Sequence, residues 1–376
     1  MEYKRLGDIA TYINGYAFKP GDRGTVGLPI IRIQDLTGNG YELGFYDGEY
    51  PEKIEINDGD ILISWSASLG VYVWNKGKAL LNQHIFKVVF DKIYIDKQYF
   101  VYAVRHKLGE MANMTHGATM KHIIKKDFDA TQIPYPVIEK QKQISSNLDR
   151  LSNIIELRHK QLNYLDTLIK ARFVEIFGTI NDNKYGYDIK TLQEVCEQIK
   201  DGTHQTPEYT EDKEKGFKFL SSKDVTSGKI DWSNIKYVPE SLHNELYARI
   251  APKRGDVLLA KNGTTGVAAL VDCDEVFDIY VSLALLRPIS VDSIYLWAAV
   301  NSVETKHQFD ESLKGIGVPN LHLGEIKKAK ILVPPFEKQR EFGAFIQQVD
   351  KSKVAVQKAL DETQLLFDSL MQEYFG

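Results

Sequence analysis

The sequence predicts an α+β protein: two duplicated α/β domains separated by a long antiparallel two-helix coiled coil. Three observations carry the prediction. One unit of roughly 180–195 residues is written twice along the 376-residue chain. Each copy closes in a stretch of about 38 residues with almost no proline or glycine and with apolar residues at heptad spacing. Each front part mixes short strand-like runs with helical pieces.

The repeat is clearest in its tails. "PYPVIEKQKQI" begins at Pro134 and "VPPFEKQREF" at Val333. Glu139 matches Glu337 at an offset of 198, and the same offset pairs Gly117 with Gly315, Pro136 with Pro334, Leu162 with Leu360 and Phe177-Gly178 with Phe375-Gly376. Further forward the offset shrinks. "GDILIS" at 59–64 matches "GDVLLA" at 255–260 at 196, Asp35 matches Asp224 at 189, and Leu6 matches Leu192 at 186. The tails keep their length while the front parts differ by insertion, which surface loops tolerate and binding loops often show. A solenoid repeats every 20–50 residues, so this period is a domain duplication. The expected segments are front domains at 1–138 and 179–336 and helices at 139–178 and 337–376.

Each tail reads as one helix of about 57 Å at 1.5 Å per residue. Steps of four and three give Ile144, Leu148, Leu151, Ile155, Arg158, Leu162, Leu165, Ile169, Arg172 and Ile176 in the first. The same register gives Phe342, Ile346, Val349, Lys353, Val356, Leu360, Thr363, Phe367, Leu370 and Tyr374 in the second. A seam sustained over five heptads argues for a coiled coil. Each helix follows a proline, and Glu139 and Glu337 sit in the first turn, where the dipole favours an acid. The two helices pair with each other antiparallel, pack on their own domains, or pair with another subunit through their charged faces. The Phe-Gly at 177–178 marks an exit into the second domain; the one at 375–376 leads into nothing.

In the front parts "LPIIRI", "GDILISWSA" and "HIFKVVF" read as strands, as do "FKFLSS", "GDVLLAK" and "VSLALLRP", with turns such as "TGNG" and "NDGD" between them. "DKQYFVYAVRHKLGEMAN" and "DSIYLWAAVNSVETKHQFDESL" read as helices. Composition is that of an ordinary globular chain, 43% hydrophobic and 26% charged, with a net charge of −4 and therefore no global basic field. Cys196 and Cys273 form neither a metal spacing nor a disulfide framework. There is no signal-peptide pattern at the start and no run of 18 apolar residues, so a cytoplasmic setting without a membrane contact is expected.

Catalytic motifs are mostly missing. No Gly-x-x-x-x-Gly-Lys-Ser/Thr phosphate loop occurs, and no His-Glu-x-x-His. "VPPFEK" resembles the Pro-Pro-Tyr/Phe motif of amino-methyltransferases, but Val333 replaces the amide or carboxylate that would accept the target amine. Glu304-x-Lys306 and Glu325-x-Lys327 are triplets common in any charged chain. What remains is polar loop chemistry at matching places. After the Gly-Asp strands come Ser64, Trp65, Ser66 and Ser68 in one copy and Lys261, Asn262, Thr264 and Thr265 in the other. Asn82, Gln83 and His84 form an "NQHI" stretch, and Ser221, Ser222 and Lys223 follow a strand-like run. Before the last strand of each copy come His116, Thr119 and Lys121, and Lys314, Asn320 and His322. Hydroxyls, amides and cations with glycine beside them suit phosphate oxygens and base edges; ordinary solvated turns would look the same residue by residue.

With the duplicated architecture and the paired Pro-x-x-Glu-Lys-Gln segments at 136–141 and 334–339, the chain resembles the specificity (S) subunit of type I restriction–modification systems. The "Gly-Asp-Ile/Val-Leu" strands and the "NQHI" stretch carry the resemblance too, although "DIYVSLA" at 278–284 lacks the Asn-Gln-His pattern. The resemblance implies two target recognition domains, each reading one half of a bipartite, asymmetric site on double-stranded DNA. It implies a helix pair that spaces the halves and no catalysis or cofactor of its own. Partners would be modification (methyltransferase) subunits, two of them, using S-adenosylmethionine. Restriction subunits using ATP and Mg would be further partners. The alternatives are a free-standing DNA-modifying enzyme and a coiled-coil scaffold for other proteins.

Overall fold

The computed structural model describes residues 2–40, 42–114, 123–313 and 320–376. The chain forms two compact units, Met1–His159 with Gln357–Gly376, and Lys160–Val356.

The first unit begins with β1 (Tyr3–Arg5), α1 (Leu6–Ile9), β2 (Thr11–Asn14), β3 (Leu28–Ile31), α2 (Ile33–Leu36), β4 (Gly44–Tyr46) and β5 (Glu55–Ile56). It continues with β6 (Ile61–Ser64), β7 (Gly70–Val73), β8 (Ala79–Leu81), β9 (Ile85–Val89), α3 (Lys97–Met114), α4 (Lys125–Ala130) and β10 (Gln132–Pro134). The long helix α5 (Ile138–Phe177) follows. The second unit adds β11 (Asp188–Thr191), α6 (Leu192–Val195), β12 (Cys196–Asp201), β13 (Phe217–Leu220), β14 (Lys236–Val238), α7 (Glu240–Arg249), β15 (Val257–Ala260) and β16 (Ala268–Leu270). Then come β17 (Phe277–Ile279), β18 (Leu283–Pro288), α8 (Ser293–Val300), α9 (Val303–Ser312), α10 (Leu323–Lys328), β19 (Lys330–Val333) and the second long helix, α11 (Phe336–Phe375).

Both units use one topology. A four-stranded antiparallel sheet has the order β2-β9-β6-β7 in the first and β12-β18-β15-β16 in the second. Beside it lies a mixed sheet, β4-β3-β8-β5 or β14-β13-β17, in which β3 runs parallel to β8 and β13 to β17. This is the mixed, duplicated fold the sequence predicts, with long helices after each front part.

The matched "GDILIS" and "GDVLLA" runs explain themselves. In a strand successive side chains point to opposite faces. Ile61 and Ile63 enter the core beneath α3, while Leu62 enters the core of the mixed sheet. Val257 and Leu259, then Leu258 and Ala260, divide the same way. A strand covered on both faces reads as a near-continuous apolar run, and all four residues of β6 and of β15 are buried, Ser64 with its hydroxyl hydrogen-bonded. The preceding glycines sit at positive φ, +88° for Gly59 and +94° for Gly255. The following aspartates close the turn by accepting from the Asn57 and Lys253 amides, both at 2.9 Å. The largest front-part difference is α7, a helix with no counterpart among the described residues of the first unit.

The long helices are unbroken and forty residues each, about 60 Å. None of the predicted seam positions is exposed. In the first unit Ile144 and Leu148 of α5 share a core with Phe367, Leu370, Met371, Tyr374 and Phe375 from the far end of α11. In the second unit Leu165, Ile169, Phe173, Ile176 and Phe177 share one with Phe342, Phe345, Ile346 and Val349 from the near end. Within each unit the helices therefore pair antiparallel. Polar seam positions are matched as well: Arg172 meets Glu341 at 3.4 Å and Lys353 meets Asp166. Leu151, Ile155 and Leu162 are half-buried, while Val356 and Leu360 are buried.

The repeated glutamine is a joint. Gln141 and Gln339 are both buried at the helix starts. Gln141 accepts from the Asp96 amide at 3.0 Å and donates to the Pro136 carbonyl at 2.8 Å. Gln339 accepts from the Asp292 amide at 2.7 Å and donates to the Pro334 carbonyl at 2.7 Å. Each side chain thus ties a long helix to the start of α3 or α8 and to the strand that feeds it. Replacing Gln339 with leucine keeps the volume but leaves a buried donor and acceptor unpaired. Urea unfolding should show a loss of about 1–3 kcal/mol.

The Phe-Gly at 375–376 is not idle. Phe375 is fully buried, 5.2 Å from the Tyr99 ring, and Phe177 is fully buried, 4.8 Å from Tyr295. Tyr99 and Tyr295 are themselves equivalents, each donating its hydroxyl to the last strand of its unit, at Pro134 (2.9 Å) and Leu332 (2.5 Å).

Candidate nucleic-acid interface

In both units one edge of the four-stranded sheet gathers loops at a single residue. Strand register identifies the equivalents. Phe86 pairs with Asn14 and Ile63, and Ala284 pairs with Asp201 and Leu259. Asn14 therefore corresponds to Asp201, and Trp65 to Lys261. The Trp65 amide donates to the His84 carbonyl (3.2 Å) as the Lys261 amide does to Ser282 (2.9 Å). The Trp65 carbonyl accepts from Ile123 (3.0 Å) as Lys261 does from Leu321 (2.8 Å). Parallel bridges join Tyr16 to Asn82 and Thr203 to Tyr280. After each acidic or amide residue comes a glycine with no room for a side chain: a Cβ on Gly15 would lie 2.0 Å from the Asn82 carbonyl, and one on Gly202 1.9 Å from that of Ile279.

On this common scaffold the side chains differ. In the first unit the Trp65 Nε1–H donates to Asn14 Oδ1 at 3.2 Å, and the indole stacks on Phe86 at 5.6 Å and meets the His84 ring edge-on at 4.9 Å. His84 holds φ +71° and Ala67, at the tip of the next turn, φ +58°. Positive φ outside glycine costs energy, and such residues concentrate where a ligand is met. Asn82 Oδ1 and His84 Nδ1 are buried without a partner among the described residues. An unpaired buried acceptor is expensive unless something else supplies the donor.

In the second unit the Lys261 ammonium donates to Asp201 Oδ2 at 2.7 Å, and both residues are buried. His204 Nε2 lies 3.3 Å from the same oxygen. Arg249, at the end of α7, reaches Asp201 Oδ1 at 3.5 Å and donates to the Asp201 and Gly202 carbonyls at 3.2 Å. Burial pushes the Asp201 carboxyl up, and the Lys261 hydrogen bond and charge outweigh it, so the group sits below the ordinary aspartate value. The helix carrying Arg249 is pinned by His243, whose Nδ1 lies 2.8 Å from the buried Asp278 carboxylate. Asn262 and Asn320 face each other across an antiparallel bridge, each with a buried Oδ1 lacking a partner among the described residues.

The sequence-predicted residues divide accordingly. Trp65, Asn82 and His84 come together, with Gln83 exposed beside them. Ser64 is buried and donates to the Ser68 carbonyl at 2.6 Å, so its hydroxyl shapes the turn; Ser66 is buried too. Lys261, Asn262 and Asn320 come together in the second unit. Ser222 joins them, its amide donating to Ser282 Oγ at 2.9 Å. Ser221 is held by Asp224, Lys223 by Asp224 and the Asn234 carbonyl. Thr264 and His322 are exposed and Thr265 half-buried. His116, Thr119, Lys121 and Lys314 lie outside the described residues. Glu304 accepts the Ile180 amide at 3.0 and 2.9 Å, a structural role. Asn14, Asp201, His204 and Arg249 escaped the sequence reading; the repeated Asx-Gly at 14–15 and 201–202 was the signal for two of them.

Among the described residues no cluster of three or more potential metal ligands occurs, and no helix is long and apolar enough to cross a membrane.

Comparison with known proteins agrees in kind. The chain matches the model of the type I restriction modification DNA specificity domain twice, over residues 1–167 and 185–363. It is 26% identical over 387 residues to the specificity subunit of the type I restriction enzyme MjaVIII of Methanocaldococcus jannaschii, spanning 95% of this chain and 89% of that one. Identity to the specificity subunit of EcoBI from Escherichia coli is 22% over 403 residues, spanning 98% and 84%. Two solved structures share the fold. The S subunit of a type I restriction-modification system from M. genitalium gives a TM-score of 0.52 at 15% identity, covering 100% of this chain and 96% of its own. A chain from a structure on complex assembly and conformational transition of the type I R-M system gives 0.60 at 16%, covering 100% and 97%.

Proposed function

Because the chain belongs to the type I restriction–modification DNA specificity family, we propose that it is the subunit that reads a bipartite, asymmetric site on double-stranded DNA and docks modification subunits, two of them, at that site. The observation that carries this reading is the shared edge with unlike side chains. Two copies of one scaffold present Asn14, Trp65, Asn82 and His84 in one case and Asp201, Lys261, Asn262 and Asn320 in the other. Identical scaffolds bearing different hydrogen-bonding groups suit two half-sites of different sequence. Neither set holds a nucleophile poised beside a base or a metal cluster. The chemistry is assigned to partners: S-adenosylmethionine to the modification subunits, ATP and Mg to restriction subunits where these join. An acidic subunit tolerates this arrangement because partners share the phosphate contacts.

Docking is supported by apolar residues left outside the seam. In the first unit Ile154 and Leu157 of α5 are exposed, at 41% and 62%, three residues apart on one helix face. In the second unit Tyr164 and Leu168 are exposed, at 71% and 47%, four residues apart on one helix face. Helices of another subunit would cover such apolar pairs.

The test is methylation. Mixed with the modification subunits of its own system and S-adenosylmethionine, the protein should direct adenine methylation to one bipartite sequence, read by sequencing the modified bases. Methylation without sequence preference would sink the reading.

A further inference from the structure

Resting on that reading, we propose that the Asn14–Trp65 and Asp201–Lys261 contacts are positioning pairs that decide which bases each unit reads, the first in a neutral form and the second in an ionic form. The direction is the same in both, with the donor on residue 65 or 261 and the acceptor on residue 14 or 201. That residue is also the backbone junction of its unit. It bonds the turn before β9 or β18 through its amide, and the segment entering at Ile123 or Leu321 through its carbonyl. Its side chain adds the end of β2 or β12. One residue, through three bonds, thus fixes four segments relative to each other, its side-chain bond closing the set, and a base contact fails when its donor moves by about 1 Å.

The ionic form points to positioning rather than to stability. Burying a lysine and an aspartate costs desolvation that an apolar pair avoids. The first unit shows that the scaffold closes without charge at this place. What the charge adds is geometry. Asp201 gathers His204 and Arg249 as well, with side chains 67% and 47% exposed. One buried carboxylate therefore aims a solvent-facing guanidinium and an imidazole at the reading edge. The first unit has no equivalent of either in contact with Asn14 among the described residues. The half-site read by the second unit is accordingly the more salt-sensitive of the two.

The experiment uses the full complex with modification subunits and S-adenosylmethionine on duplexes with each half-site randomised in turn. Asp201→Asn and Lys261→Met should each relax the base preference of one half about ten-fold. The other half should not change, and the loss should appear in KM rather than kcat. Asn14→Leu should relax the opposite half. Lys261→Arg should keep the preference, and the double variant Asp201→Asn/Lys261→Trp, which copies the first unit's pair, should bring it back toward wild type. Singles that leave both halves unchanged, or relax both equally, overturn the proposal, as does a double variant no better than its singles. Thermal unfolding of each variant separates this from misfolding: a relaxed half with an unchanged midpoint supports positioning, and a preference lost only in step with the midpoint overturns it. Wild-type complex that methylates without preference overturns the underlying reading instead.

Discussion

Phe177→Ala and Phe375→Ala should each destabilise the protein by about 3–5 kcal/mol, the range for emptying a fully buried aromatic site. The two rings fill equivalent places. Phe177 lies among Phe173 (4.9 Å), Tyr295 (4.8 Å) and Phe342 (5.4 Å). Phe375 lies against Tyr99 (5.2 Å), in the core that also holds Ile144 and Leu148. Neither neighbourhood collapses easily, because the hydroxyls of Tyr99 and Tyr295 are tied to the backbone and hold the rings in place. Calorimetry should show the loss in both variants. A stable Phe375→Ala would mean that the last turn of α11 is not part of the first unit's core.

Leu148→Glu should cost at least about 4 kcal/mol, because a carboxyl would enter a seam where Leu148 is fully buried. Leu157→Glu, on the same helix, changes a side chain that is 62% exposed and should stay within about 0.5 kcal/mol of wild type. The pair separates two faces of α5. Leu148→Glu should lose the helix pairing as urea unfolding reads it. Leu157→Glu should keep the fold and weaken co-purification of modification subunits. Equal destabilisation by both would contradict the seam register; unaltered co-purification of Leu157→Glu would remove the exposed Ile154–Leu157 pair of the first unit as a docking surface.

The parts of the fold that were legible in the sequence are those with a period or a copy. The heptad seam needed mostly apolar residues at steps of three and four, and its positions are buried or half-buried. The Gly-Asp strands were found because they are written twice, and their near-continuous apolar character follows from burial on both faces. The joint glutamines were visible as a motif, but their role was not: the partners are amides 45 and 47 residues away, at Asp96 and Asp292. The proposed reading edge was half legible. Trp65 and Lys261 stand beside a recognisable strand. Their partners Asn14 and Asp201 lie on another strand far away in sequence, marked only by the short Asx-Gly repeat, and it is the sheet register that brings them to Trp65 and Lys261. Arg249 sits in α7, which has no counterpart among the described residues of the first unit. Contacts set by sheet register, rather than by local pattern, are where sequence reasoning ran out.

The division of the long helices also sets an order of assembly. Lys160–Val356 is one uninterrupted stretch, whereas Met1–His159 is completed only by Gln357–Gly376. During synthesis the second unit can close as soon as its own residues have emerged. The first, although made earlier, waits with Ile144 and Leu148 uncovered until the final turns arrive. At 5–20 residues per second that wait is about 10–40 s. Nascent chains should therefore acquire protease resistance from the middle outward, and the part made first should depend most on a chaperone.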